Sequence, residues 1–199
     1  MFCTRRRAQL GLAAAAMVLA LALSALLIAP RYSRPVAVAD VGTLAPDFQL
    51  NDVTGLPVTL SGHRGQAVVL FFASPDSPDS ARYSRRVEAL AQRYASDSRV
   101  KFFAVDVRSE AVDRLLARLD AEASGRTFQT LVDEKAVVAG RYSAETTPFL
   151  MVIDPQGIVR YRGPFDDNAD FAFATRAFCA EALGHILGAP TAAVAAMPR

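Results

Sequence analysis

Ser77 and Ser80 stand in the stretch Ser74-Pro75-Asp76-Ser77-Pro78-Asp79-Ser80, between the apolar run Ala67 to Ala73 and a helix-like stretch. A serine there becomes a nucleophile only with a base in hydrogen-bond reach and a third group to orient that base. His63 and His185 are the sole histidines, and the flanking residues are not a Gly-x-Ser-x-Gly elbow. The expected role of Ser77, Asp79 and Ser80 is therefore to cap the helix by accepting backbone N–H groups. A thiol at such a junction would be activated, because unpaired N–H groups and the helix dipole favour the thiolate. Serine has no comparable route to an anion and cannot exchange with a disulfide, so thiol-disulfide chemistry at this junction is excluded by element type. Peroxide reduction, which also begins from a thiolate, falls with it.

The chain's two thiols are at Cys3 and Cys179. Cys179 lies in the closing helix beside the stripe Phe171, Ala174, Phe178, Ala182 and Ile186, which predicts a buried thiol acting as a small hydrophobe. The alternative is an exposed free thiol open to an intermolecular bridge. Asp166, Asn168 and Asp170 match the first positions of a calcium loop, but Phe171 stands where glycine is needed and the distal glutamate is missing. A solvated turn and helix cap is expected there. The two histidines have no ligand spacing, so neither a metal nor a cofactor is expected. A net charge of +2 without a basic stripe argues against a nucleic-acid partner.

The elements that must position these residues follow from periodicity. DFQL and PVTL predict a strand pair around Asn51, Asp52 and Gly55. Ala67 to Ala73, continuous and apolar, predicts a strand buried on both faces, and Val100 to Val107 a second. Between them, Tyr83, Val87, Leu90, Ala91 and Tyr94 recur at helical spacing from Ser80 to about Ala95. Further expected elements are a helix over 111–123, a strand near Phe128 to Val132 and a short helix from Lys135 to Tyr142. A hairpin follows, Phe149 to Ile153 and Ile158 to Arg162 around Asp154-Pro155-Gln156-Gly157, then a last helix from about Asn168 to Leu187. The order β-β-β-α-β-α-β-α-β-β-α predicts an α/β fold, a mixed sheet with helices on both faces.

Leu10 to Ala29 carries no charge, long enough for a hydrocarbon core of about 30 Å. Arg5, Arg6 and Arg7 precede it, so residues 1–9 are expected in the cytoplasm, residues 10–30 as a transmembrane anchor and the rest beyond the membrane. The alternative is secretion after signal cleavage. Residues 31–40 read as a linker, 41–188 as one domain and 189–199 as a disordered tail.

Val41-Gly42-Thr43-Leu44-Ala45-Pro46-Asp47-Phe48, then Val68-Val69-Leu70-Phe71-Phe72, Thr147-Pro148-Phe149 and Ile153-Asp154-Pro155-Gln156-Gly157 together resemble a redoxin of the thioredoxin-like fold. The family is the alkyl hydroperoxide reductase and thiol-specific antioxidant (AhpC/TSA) group, with the membrane-tethered thiol-disulfide reductases beside it. The resemblance implies antioxidant or oxidoreductase activity. It also places Ser77 and Ser80 where the family carries its two cysteines, and Thr147-Pro148 at the cis-proline loop that pairs with an extended chain. A register shifted by one residue substitutes Asp76 and Asp79 instead, and neither register supplies sulfur.

The combined expectation is a single-pass protein of a bacterial inner membrane with a periplasmic redoxin-like domain. Ser77, Pro78, Thr147 and Pro148 form a cleft for an extended peptide or partner protein. Two alternatives stand beside it: an oxidoreductase or peroxidase using Cys179 or an external thiol, and a structural component of a membrane complex.

Overall fold

The computed structural model describes residues 39–74, 77–108, 125–144, 146–168, 170 and 173–188. The expected anchor over 10–30, the helix over 111–123 and the tail over 189–199 lie outside these residues. Among the described residues no helix is long and apolar enough to cross a membrane.

The described chain runs through β1 (Gln49–Asp52), β2 (Pro57–Thr59), a 3-10 turn (Ser61–His63), β3 (Ala67–Ala73), α1 (Pro78–Arg93) and β4 (Val100–Arg108). After residues 109–124 it continues through β5 (Gln129–Glu134), α2 (Val137–Arg141), β6 (Phe149–Ile153), β7 (Val159–Gly163) and α3 (Phe178–Leu187). The strands form one sheet in the order β2-β1-β5-β4-β3-β6-β7. The pairs β3/β4 and β4/β5 are parallel and the others antiparallel. The mixed sheet expected from the sequence is the one observed.

β3 is central and every one of its residues is buried. Because side chains alternate along a strand, β3 feeds two cores. Val68, Leu70 and Phe72 pack with Phe103, Val105, Met151 and Ile153 on the face covered by Val138, Ala139 and Tyr142, in and just after α2. Ala67, Val69, Phe71 and Ala73 pack on the other face with Tyr83, Val87 and Leu90 of α1 and with Cys179 and Leu183 of α3. Each large apolar side chain so buried contributes about 1.5–3 kcal/mol.

Two helices start later than the sequence predicts, for a shared reason. α2 begins at Val137, since Lys135 and Ala136 have left-handed backbone (φ 62° and 53°) and the Asp133 carboxylate takes the N–H groups of Val138 and Ala139. α3 begins at Phe178, about ten residues later than the apolar spacing predicts. Asp167 accepts the N–H groups of Thr175 and Arg176, so a side chain holds donors that a helix would otherwise use. Ala174 therefore lies in a loop, outside the helical stripe assigned to it.

Candidate functional site

The site is built where β3 ends and β6 begins. Phe72 pairs with Phe149, so Ala73 and Pro148, the next residues on each strand, come to the same end of the sheet. From Ala73 the chain turns through Ser74 into α1, and Ser77 is the N-cap with extended backbone. The Ser77 N–H donates to the Ser74 carbonyl at 3.1 Å, and the Ser77 hydroxyl accepts the Ser80 N–H at 3.3 Å. Pro78 opens the first turn, where its missing N–H costs nothing.

Ser80 departs from its expected capping role. It is buried, and its hydroxyl accepts the N–H of Ser74 at 3.1 Å, tying the helix back to the strand it follows. Asp79 is exposed and lies 3.6 Å from Arg82. The two serines thus fasten a strand-to-helix turn.

On the facing side the Thr147–Pro148 peptide is cis, as expected from the sequence. Thr147, Pro148 and Phe149 are half-buried. The Phe149 ring lies between Phe72, with ring centroids 6.4 Å apart, and Arg162, whose guanidinium carbon is 5.6 Å from its centroid. The sheet register therefore brings Ser77, Pro78, Thr147 and Pro148 to one end of the domain.

Beside this end lies a cluster the sequence reading missed. Arg86 of α1 and Asp166 of the loop after β7 are both buried and form an ion pair. Arg86 also donates to the Asn168 carbonyl at 3.1 Å and stands 4.5 Å above the Tyr83 ring. Among the described residues Asp166 Oδ1 is the one buried side-chain polar atom that receives no hydrogen bond. Burial pushes the Asp166 carboxyl up from its ordinary range, opposed by the Arg86 charge. Burial, then the Asp166 charge, raises Tyr83. Of the solvated turn and helix cap expected for Asp166, Asn168 and Asp170, the exposed turn is present, with the Asp170 N–H donating to the Asn168 side chain at 2.9 Å, but the cap and the exposure of Asp166 are corrected here. Asp166 belongs to the interior, and the nearest helix starts at Phe178 with no side-chain cap.

Cys179 is fully buried in the α1/α3 core, far in kind from an activated thiol, and burial pushes it up to about 12. His63 sits in the 3-10 turn and bonds Gln66 at 2.9 Å, while His185 is exposed on α3. Among the described residues no group of three His, Cys, Asp or Glu side chains is placed to hold a metal.

A mixed sheet in this strand order, a helix opening directly from the central strand and a cis proline opening the neighbouring one define a thioredoxin-like α/β protein. The chain belongs to the AhpC/TSA family, whose pattern matches residues 41–162. It is 31% identical over 129 residues to thiol-disulfide oxidoreductase ResA of Geobacillus kaustophilus (strain HTA426), covering 65% of this chain and 71% of that one. With ResA of Geobacillus thermodenitrificans (strain NG80-2) it shares 30% identity over 144 residues, 72% of this chain and 80% of the relative. Among solved structures, an uncharacterized conserved protein from Geobacillus kaustophilus superposes with a TM-score of 0.66 at 25% identity, covering 77% of this chain and 86% of that one.

Proposed function

We propose that this protein is a membrane-anchored, extracytoplasmic thioredoxin-like module that has exchanged the family's redox cysteines for Ser77 and Ser80. It binds an extended peptide or partner protein at the end of the sheet formed by Ser77, Pro78, Thr147 and Pro148. The observation that carries the reading is the pair of hydroxyl hydrogen bonds at the junction, Ser80 N–H to Ser77 and Ser74 N–H to Ser80. Both serines hold the turn in shape while contributing no sulfur, so the junction keeps its geometry without thiol chemistry. The cis-proline bend that opens β6 beside this junction would offer its backbone groups to an extended peptide in the manner of strand addition. Cys179 does not replace the missing thiols, because it is sealed in the core.

The test is disulfide reduction and peroxide consumption by the full chain in detergent micelles, beside Cys3→Ser and Cys179→Ser. All three are expected to be inactive. Activity lost in either variant would make the protein a one-cysteine oxidoreductase, as the relatives' name favours, and would overturn the reading.

A further inference from the structure

We infer that Arg162 is the specificity-determining residue of the Thr147–Pro148 cleft and that its guanidinium binds a carboxylate of the extended peptide held there. This rests on the peptide-binding reading.

Arg162 lies on β7 opposite Met151, which is two residues, about 7 Å, along β6 from Phe149. The guanidinium carbon of Arg162 stands 5.6 Å from the centroid of the Phe149 ring, and Phe149 is bonded directly to Pro148. The charge is therefore held at the end of the sheet where the cis peptide stands. An aromatic face attracts a cation and limits the positions it takes up, so the group is oriented before any ligand arrives.

What this arginine lacks is an acceptor. A guanidinium carries several N–H donors and accepts nothing. Arg99, Arg160 and Arg176 each donate to a carboxylate, at 2.7, 2.6 and 2.6 Å, and Arg86 donates to Asp166. The Arg162 side chain is 27% exposed, so little of it is open to water. Among the described residues its one ion-pair partner is Asp40, 3.6 Å away and beyond hydrogen-bond range. The same Asp40 oxygen is already accepting the Val41 N–H at 2.8 Å. Arg82, also 3.6 Å from a carboxylate, differs in being more than half exposed, where water supplies acceptors. A carboxylate on a bound chain answers both the charge and the geometry of Arg162, since a guanidinium takes its two oxygens side by side. Such a charge beside a cleft selects among ligands by sign. An Asp or Glu side chain and a chain terminus present the same group.

The experiment uses the full chain in phosphatidylcholine nanodiscs and short rhodamine-labelled peptides of Ser, Thr and Gly, with binding read by fluorescence anisotropy. Two peptides are amidated at the C-terminus and carry Glu or Gln at the centre. The third has Gln at the centre and a free C-terminal carboxylate. The wild type is expected to bind a carboxylate-bearing peptide about tenfold more tightly than the amidated Gln peptide, the scale of one charge-assisted contact. Which peptide shows the gain tells a side-chain carboxylate from a terminal one. Arg162→Gln should bring all three peptides to one affinity, and Arg162→Lys, which keeps the charge but not the paired donors, should retain part of the preference. Asp40→Asn should widen the preference, because a competing carboxylate is gone; an arginine that only packs on Phe149 would not respond in this way. Equal binding of all three peptides by the wild type, or a preference that survives in Arg162→Gln, overturns the role of Arg162 and leaves the peptide-binding reading intact. If the wild type binds none of them, both fall together.

Discussion

The Arg86 guanidinium donates to Asp166 across 80 positions of the chain, joining α1 to the loop after β7 where both side chains are shut away from water. Taking two charges out of water costs several kcal/mol per ion, so such a pair holds two elements in register without adding much net stability. The donor-free Oδ1 of Asp166 adds to that cost.

Asp166→Ala should therefore destabilise the domain by about 3–5 kcal/mol, because Arg86 is left buried and uncompensated. The double replacement Arg86→Met with Asp166→Leu should be neutral or stabilising by about 1–4 kcal/mol. Urea denaturation of the three proteins gives both numbers. A double variant as unstable as the single one would mean the pair is a net source of stability.

The two neighbouring aspartates of this loop should respond to pH with opposite signs. Hydrogen bonds from Thr175 and Arg176 hold Asp167 down to about 2 from an ordinary 3.8. Its folded pKa lies below the unfolded one, so its stabilisation is present above 3.8 and is lost as pH falls toward 2. Asp166 is raised by burial, so the folded state keeps its proton longer and stability declines as pH rises from 3.8 through the raised value. Thermal midpoints measured against pH should show an acid limb between about 4 and 2 that flattens in Asp167→Asn. An acid limb unchanged in that variant would remove Asp167 as its source.

Ser77 is expected to matter as a cap. Ser77→Ala should cost about 1 kcal/mol and Ser77→Gly only a few tenths, since glycine tolerates the cap position. Ser77→Cys, made in a Cys3→Ser background, should create a thiol that titrates below the ordinary value of about 8.5, because it inherits the helix N-terminus. The pH dependence of its alkylation rate reads that value directly. A thiol titrating at or above the ordinary value would show that the junction no longer favours an anion.

Much of this was legible in the sequence. The uninterrupted run Ala67 to Ala73 announced a strand buried on both faces, and the turn residues Asp154 to Gly157 announced the hairpin. Ser77 was legible as a capping serine, but the helix opens at Pro78, two residues before the Ser80 that the spacing predicts. Arg86 was half legible: it lies three residues after Tyr83 and four before Leu90, on the apolar stripe of α1, where an arginine requires a partner. That partner was not legible, because no local pattern links residue 86 to residue 166. The start of α3 was misread for a different reason. Phe171, Ala174 and Phe178 keep helical spacing, and periodicity does not register a carboxylate such as Asp167 that captures the backbone donors. A hydroxyl at a helix start usually caps it, which is what the sequence suggests for Ser80; its bond runs backward to Ser74 instead.

Cys179 supplies the sharpest separation between a silent domain and an oxidoreductase. Its side chain is sealed between β3, α1 and α3, and burial lifts the thiol to about 12, so at neutral pH it is neither ionised nor reachable. Alkylation of a Cys3→Ser protein at pH about 8 should be negligible in buffer and complete in denaturant, since only the thiolate reacts and only unfolding exposes it. Cys179→Ser places a hydroxyl in the same apolar surroundings and should cost about 1–3 kcal/mol. Cys179→Ala, with no polar group to desolvate, should cost less. Rapid labelling without denaturant would show that α3 opens to admit reagent, and a thiol exposed in that way could reach a disulfide. The case for a domain without redox chemistry would then fail at this residue, whatever Ser77 and Ser80 do at the helix junction.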